Sequence, residues 1–203
     1  MTELLCGKDL DLFRGDRCLF QGLEFALNTG ELLFVEGANG SGKTSLLRSI
    51  AGLLEFERGE IRWQGLAVAE DPQRFRAALV WFAHRPGFKG DLTPIQNLHF
   101  ESGLRSFRSE DIDAALARVG VSASSALPMR SLSAGQQRRV GLARMILSAA
   151  PLWLMDEPFT NLDKDGHALV TDLVNEHLAA DGACVLASHQ AVSIEAPTHR
   201  ITL

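Results

Sequence analysis

One octapeptide constrains the fold of this chain more than any other stretch of its sequence. Residues 37–44 read G-A-N-G-S-G-K-T and match the pattern G-x-x-x-x-G-K-[ST] at every position. An apolar run, residues 32–35, precedes the motif, and residues 45–51 follow it with leucine and isoleucine at helical spacing before Gly52. The pattern predicts a strand, a phosphate-binding loop and a helix. The alternative, a glycine-rich turn with a chance lysine, is disfavoured by these flanks.

The composition of the loop indicates how it would hold phosphate. Its glycines let the backbone curl until successive N–H groups point inward, and the next helix adds the positive end of its dipole. Lys43 would place a charge on the outer phosphates, and the hydroxyl of Thr44 can ligate Mg²⁺. The predicted nucleotide-binding residues are Gly37, Ala38, Asn39, Gly40, Ser41, Gly42, Lys43, Thr44 and Ser45.

An acidic pair supplies the second half of the predicted site. Four apolar residues, 152–155, indicate a buried strand that ends at Asp156 and Glu157. Since open α/β sheets bind ligands at the carboxyl ends of their strands, these carboxylates would face the phosphate loop. We expect Asp156 to hold Mg²⁺, directly or through water, and Glu157 to polarise the water that attacks the terminal phosphate. A solvated acidic pair is the alternative, and the apolar strand counts against it.

Composition narrows the class of protein. The 203 residues are 46% hydrophobic and 22% charged, as in soluble globular proteins. A net charge of −5 argues against a broad nucleic-acid surface. The three cysteines form no C-x-x-C pair, so no zinc site is expected. No signal peptide is evident, and no apolar run approaches the ~20 residues of a membrane helix, so we expect a chain that is soluble by itself.

The remaining pattern predicts an α/β fold. We expect short strands and turns within residues 1–36, and further strands at 59–65, 78–83, 183–187 and near 200–203. A helical pattern without a strand signal covers residues 88–130, where Ser109 and Glu110 are expected near the start of a helix.

Longer helices are expected after Ser131 and at about 164–180. We predict a single domain, 1–203, in which residues 1–83 and 150–203 form a nucleotide-binding core. Residues 84–149 would form a helical subdomain inserted between the two parts of that core.

Five motifs in a fixed order give the chain a resemblance to a known family. They are residues 37–44, then Leu132, Ser133, Ala134, Gly135 and Gln136, then 152–157, then 161–163 with Asp163, and His189. In this order and spacing, over nearly all 203 residues, the chain resembles the ATP-binding cassette ATPases, the motor subunits of membrane transporters. The resemblance implies a P-loop NTPase (RecA-like) core with N-terminal antiparallel β strands and an inserted α-helical subdomain. It also implies that ATP and Mg²⁺ are bound.

The family resemblance implies a role for each motif. Ser133 and Gly135 would open a helix whose N-terminus points at ATP bound to the other subunit. The active unit would then be a homodimer that closes head to tail on two nucleotides. Asp163 would link the two sites, and His189 would hold the terminal phosphate and the attacking water against Glu157.

Three positions depart from the family pattern. Ala134 stands where glycine is usual in the signature. His84 stands where the family usually has the glutamine that senses Mg²⁺; a histidine could bond similarly but could also titrate. An aromatic residue that stacks on adenine is usual before the loop. Here Arg14 lies near that position and could stack as a cation, with Phe13 beside it, which we expect in the core.

Closer features, including the stretches 84–93 and 97–100, resemble the ATPase subunits of the bacterial cytochrome c maturation system, regarded as haem exporters. This resemblance implies polytopic membrane subunits of the B and C types and an indirect link to a periplasmic haem chaperone. It implies no nucleic-acid partner and a peripheral position on the cytoplasmic face of the inner membrane. Two alternatives remain: a cassette ATPase for another exported cargo, such as lipoprotein or peptide, and a soluble cassette ATPase acting on nucleic acid or ribosomes.

Overall fold

Two sheets and six α-helices make up the fold of the described chain. The computed structural model describes residues 3–84, 87–103, 111–190 and 192–203, so the helix start expected at Ser109 and Glu110 lies outside the described residues. The strands are β1 (Glu3–Arg14), β2 (Arg17–Asn28), β3 (Leu32–Glu36), β4 (Arg58–Trp63), β5 (Leu66–Ala67), β6 (Leu79–Phe82), β7 (Leu152–Asp156), β8 (Ala183–Ala187) and β9 (Thr198–Thr202). The helices are α1 (Lys43–Ile50), α2 (Pro72–Ala77), α3 (Pro94–Ser102), α4 (Ile112–Arg118), α5 (Ala134–Leu147) and α6 (Lys164–Ala179).

The first sheet is antiparallel, with strand order β2-β1-β4-β5. Its first two strands are each 12 residues long, so the prediction of short strands broken by turns is wrong here. A bulge explains the error: Gly22 has a φ of 61°, and its N–H donates to Oδ1 of Asp11 at 2.7 Å. The strand bends at Gly22 and continues, although glycine at this point is typical of a turn.

The second sheet is parallel, with strand order β6-β7-β8-β3-β9. Its central strands β7 and β8 are buried along their whole length, and every residue in them except Asp156 is apolar, as a parallel sheet covered on both faces requires. Val35, Ala187 and Asp156 lie side by side, because β8 pairs with β3 on one edge and with β7 on the other. The segments that follow these strands therefore meet at one end of the sheet.

Hydrophobic clusters cover both faces of the parallel sheet. Phe34 of β3 belongs to one cluster, whereas its neighbours Leu33 and Val35 belong to the other, as the alternation of a strand requires. The first cluster contains buried residues of α4, α5 and α6, and the second contains those of α1 and the antiparallel sheet. The parallel sheet is thus the middle layer. None of the helices in the described ranges is both long and apolar enough to cross a membrane.

Reciprocal capping boxes fix the start of two helices. Thr93 caps α3 and Ser133 caps α5, and each hydroxyl accepts a hydrogen bond from a backbone N–H three residues later. The residues at those positions, Gln96 and Gln136, bond back to the backbone of the cap. In α5 this arrangement holds Ser133 at the exposed start of the helix.

His177, in the last turn of α6, is half-buried against β7. Its ring stacks on the indole of Trp153 with centroids 4.0 Å apart and an interplanar angle of 8°, and its Nε2 donates to the carbonyl of Ala183 at 3.2 Å. Burial lowers the pKa of His177 to about 4. The folded protein therefore binds fewer protons here than the unfolded chain, whose histidines titrate at about 6.5, so stability falls as the pH drops from about 6.5 to about 4.

We expect the His177→Phe variant to lose less stability on acidification than the wild-type protein. Phenylalanine can stack on Trp153 but cannot be protonated, so the loss of about 2 kcal/mol that His177 causes between pH 7.5 and pH 5 disappears. Urea unfolding at both pH values measures the difference, and the comparison at pH 7.5 isolates the lost bond to Ala183. An equal loss on acidification in both proteins would contradict this role of His177.

Candidate nucleotide-binding site

The glycine-rich loop joins β3 to α1 through left-handed backbone. Gly37, Gly40 and Gly42 have φ values of 152°, 81° and 121°. A Cβ on Gly37 would lie 2.5 Å from the carbonyl oxygen of Leu203, so this position admits no side chain. Gly42 is the N-cap of α1 and supplies no side-chain cap to the helix. The N–H groups at the start of α1 are therefore available to an anion.

Lys43 lies beneath this loop. The side chain is 6% exposed, and Nζ donates to the carbonyls of Gly37 at 2.8 Å and Ala38 at 3.2 Å. Nζ also lies 3.6 Å from Oε1 of Glu157. The loop and the acidic residue after β7 thus hold one ammonium group between them, where it can meet a phosphate.

A hydrogen bond joins the start of α1 to the end of β7. The hydroxyl of Thr44 donates to both carboxylate oxygens of Asp156, 112 residues away, at 3.0 Å each. Asp156 is 1% exposed, and burial raises its pKa, while the bond from Thr44 opposes that shift. A hydroxyl and a carboxylate are the hard oxygen ligands that Mg²⁺ prefers, and a cation beside Asp156 would favour its charged form. The two side chains therefore fit a magnesium ion.

Glu157 is fixed from several sides. Its φ is 48°, in the left-handed region, and its N–H donates to the carbonyl of Ala187 at 2.8 Å. Oε2 accepts a hydrogen bond from Nδ1 of His189 at 2.8 Å, while Oε1 faces Lys43. The structure thus brings together the two residues predicted to be catalytic. The carboxylate is placed to accept a proton from a water molecule in the neighbouring cavity.

A cavity of about 390 Å³ opens in front of these groups. It is lined by Asn39, Gly40 and Gly42 to Ser45 of the predicted nucleotide-binding set, and by Arg14, Arg17, Leu19, His84 and Glu157. Gly37, Ala38 and Ser41 of that set lie outside the lining. The hydroxyl of Ser41 is buried without a hydrogen-bond partner in the described part of the chain.

At the rim of the cavity, arginines lie where the family usually has an aromatic residue that stacks on adenine. Phe13 is 38% exposed, so its predicted place in the core is wrong; it lies next to the turn that ends β1, where the sheet offers little cover. Among the described residues that line the cavity there is neither phenylalanine nor tryptophan. Two guanidinium groups, those of Arg14 and Arg17, stand at this side instead. Arg17 was missed in the sequence, although it belongs to the same turn as Arg14.

The predicted signature and Asp163 lie outside the lining of this cavity. Leu132 is buried, and Ser133 with Ala134 lies exposed at the start of α5. A Cβ on Gly135 would lie 2.9 Å from the carbonyl oxygen of Asn161, so α5 and the segment before α6 approach closely. Asp163 caps α6 by accepting from the N–H of Gly166 at 2.8 Å, which together with Arg139 at 2.9 Å lowers its pKa. The chain thus presents Ser133 away from its own Lys43.

Sequence reasoning missed Arg138, which connects α5 to the site. This residue donates from Nη1 to the carbonyl of His84 at 2.8 Å and from Nη2 to the carbonyl of Glu157. His84 itself lines the cavity, at the position where a glutamine was expected. The only sequence signal for Arg138 is its place just after the signature, in a run of polar residues typical of a solvated helix face.

A strand, a glycine-rich loop and a helix face a carboxylate from a parallel strand of the same sheet, with one strand between the two. This arrangement defines a nucleoside-triphosphate-binding fold of the P-loop class. The particular family follows from comparison with known proteins. The family model described as ABC transporter matches residues 20–160, and the chain belongs to this family.

Curated relatives match nearly the whole chain. The chain is 45% identical over 201 residues to the cytochrome c biogenesis ATP-binding export protein CcmA of Methylococcus capsulatus, covering 98% of this chain and 97% of that protein. Identity to the CcmA of Vibrio cholerae is 42% over 195 residues, covering 95% and 94%. For the CcmA of Escherichia coli O157:H7 it is 41% over 204 residues, covering 100% and 95%.

Solved structures share the fold. A putative ABC transporter ATP-binding protein from Pyrococcus furiosus superposes with a TM-score of 0.84 at 23% identity, over 97% of this chain and 96% of that chain. The cbiO1 protein of Clostridium perfringens, described as part of the ABC transporter complex cbiONQ, gives a TM-score of 0.77 at 22% identity, over 94% and 80%. These likenesses establish the α/β architecture with its antiparallel and parallel sheets.

We expect the Lys43→Ala variant to bind ATP at least 30-fold more weakly than the wild-type protein, since a charge-assisted bond to phosphate contributes about 2 kcal/mol. Titration with a fluorescent ATP analogue measures the dissociation constants. Lys8→Ala, which removes an exposed lysine from β1, is the matched control and should leave affinity unchanged. Unaltered affinity in the Lys43 variant would refute its role in phosphate binding.

Proposed function

We propose that this chain is the ATP-hydrolysing motor subunit of a membrane export complex that serves cytochrome c biogenesis, most simply the haem exporter. The observation that carries the catalytic part is that Glu157, which lines the cavity together with Lys43, contacts both Lys43 and His189. The similarity to CcmA proteins at 41–45% identity supports the biological role.

ATP binding would begin at the loop. The N–H groups of the loop and of the first turn of α1 would surround the phosphates, while Nζ of Lys43 exchanges its carbonyl partners for phosphate oxygens. Thr44 and Asp156 would hold Mg²⁺, which when bound neutralises charge on the outer phosphates. The adenine ring of ATP would lie at the side of the cavity that Arg14 and Arg17 line.

Hydrolysis would use Glu157 as the general base. Oε2 is already bonded to Nδ1 of His189, so Oε1 is the oxygen that accepts the proton of the attacking water. The water oxygen then bonds to the terminal phosphorus, the bond from that phosphorus to the bridging oxygen breaks, and ADP and phosphate leave. His189 would orient the carboxylate through Nδ1, and with both ring nitrogens protonated it would also donate from Nε2 to the terminal phosphate.

The complete site would need a second copy of the chain. Ser133 lies at an exposed helix start outside the cavity lined by Lys43, so it is available to a nucleotide bound by another subunit. A head-to-tail homodimer would place Ser133 of each subunit against the terminal phosphate in its partner. Asp163, close to α5 through Arg139, would lie between the two sites.

Membrane partners follow from the transporter role. Polytopic subunits of the B and C types would receive the movement of the segment 84–149, which carries α3, α4 and α5 as an inserted subdomain between the two parts of the core. The chain would then lie peripherally on the cytoplasmic face of the bacterial inner membrane, with an indirect link to a periplasmic haem chaperone. The net charge of −5 gives no support to a nucleic-acid partner.

The Glu157→Gln variant should bind Mg-ATP as tightly as the wild-type protein yet hydrolyse it about 100-fold or more slowly, because the amide cannot accept the proton. A closed dimer with two trapped nucleotides should accumulate, which light scattering detects. Glu24→Gln, an exposed change on β2, controls for the lost charge. Rapid hydrolysis by the Glu157 variant would place the base elsewhere.

Purification of the tagged chain from solubilised membranes tests the biological role. We expect polytopic subunits encoded with cytochrome c maturation functions to accompany it, identified by mass spectrometry. Membrane subunits of a lipoprotein or peptide exporter would assign another cargo. Salt-sensitive recovery of nucleic acid without membrane subunits would reject the transporter role.

A further inference from the structure

The guanidinium of Arg138 bridges the ends of two parallel strands. It donates from Nη1 to the carbonyl of His84, just beyond β6, at 2.8 Å, and from Nη2 to the carbonyl of Glu157, just beyond β7. Its plane lies over the ring of Phe82 with 4.7 Å between Cζ and the centroid. The side chain comes from the second turn of α5, the helix that Ser133 begins. One side chain therefore connects α5, the helix that begins at the predicted signature, to His84 and Glu157, which both line the cavity.

Burial makes this contact unusual. Arg138 is 3% exposed, and among the described residues no carboxylate pairs with its guanidinium within 4.0 Å. Burial lowers the pKa of Arg138, and the nearby charges of Asp156 and Glu157 only partly oppose that shift. The two Nη groups of this buried arginine donate to two carbonyls. Because the guanidinium is a planar, rigid fork, these bonds fix the direction of both peptide groups.

Glu157 is the residue whose backbone most needs such support. Its left-handed φ of 48° is uncommon for a side chain without special local bonding. Ala187 fixes its N–H and Arg138 fixes its carbonyl, so the peptide groups on either side of its Cα are both held. The direction of the carboxylate toward Lys43 and His189 depends on that backbone.

We propose that Arg138 is a positioning residue that holds the general base of its own subunit in place through the backbone carbonyl of Glu157. This inference rests on the proposed function, in which Ser133 contacts the nucleotide of the partner subunit. Arg138 would act on Glu157 and His84 of its own subunit, whereas Ser133 of the same helix would act on the nucleotide bound by the partner.

Mixed dimers test this assignment, with two differently tagged chains purified through both tags. Ser133→Arg disables the site of the partner, whereas Arg138→Met should slow the site of its own chain about 10- to 100-fold through misplacement of Glu157. When the two changes lie on opposite chains, both affect the site of the chain that carries Arg138→Met, and the site of the other chain stays intact. When both changes lie on one chain, Arg138→Met slows the site of that chain and Ser133→Arg disables the site of its partner. We expect the opposite-chain dimer to hydrolyse ATP at least about tenfold faster.

The alternative outcomes are distinct. If Arg138 served only to hold α5 in shape, its loss would damage Ser133 and the partner's site, and the same-chain dimer would be faster. Equal rates in the two arrangements would also overturn the proposal. If Ser133→Arg paired with a wild-type chain showed no loss of hydrolysis, the head-to-tail site itself would be refuted, and this inference with it.

Two further variants guard against a folding defect. Arg144→Met is the matched control, because Arg144 also lies on α5 and donates to the carbonyl of Trp81 at 3.1 Å, yet contacts neither His84 nor Glu157 in the structure. It should keep kcat within about twofold. If Arg138→Met does not fold, Arg138→Lys replaces it; one ammonium retains the charge but not the fork, so kcat should fall while KM for ATP stays within about twofold. An unchanged kcat in Arg138→Lys and Arg138→Met would contradict the proposal.

Discussion

Parallel pairing of β8 with β3 on one side and β7 on the other is the constraint on which the site depends. It aligns Val35, Ala187 and Asp156, so the loop after β3 and the acidic pair after β7 open at the same end of the sheet. The bond from Thr44 to Asp156 then joins segments 112 residues apart. Without this register the lysine of the loop and the carboxylate of Glu157 would not share one cavity.

The site consists of two groups of residues that suit different chemical roles. Lys43 and Asp156 are buried and Thr44 is half-buried. The three side chains bond to the backbone or to each other, which suits the binding of a phosphate and a cation. Glu157 and His189 form a more exposed pair that suits proton transfer. Arg138 connects this pair to α5, whose exposed start at Ser133 lies outside the lining of the cavity.

Local patterns allowed much of this arrangement to be predicted. The loop, each buried strand and the acidic pair are each formed by one short stretch of sequence with a clear apolar run beside it. Their positions at one end of the sheet could therefore be predicted from the sequence. The division of residues 1–36 into short strands failed because a bulge at Gly22 resembles a turn until the bond to Asp11 is known. The placement of Phe13 failed because burial depends on neighbouring strands. Arg138 could not be found because its partners are carbonyls, which every residue carries.

The most direct measurement is the structure of the chain bound to Mg²⁺ and a non-cleavable ATP mimic. We predict a dimer with two nucleotides, each with its outer phosphates between Lys43 of one subunit and the exposed start of α5 of the other, and with the metal at Thr44 and Asp156. A nucleotide bound away from Lys43 and Asp156, or one enclosed by a single chain, would contradict this account of the protein.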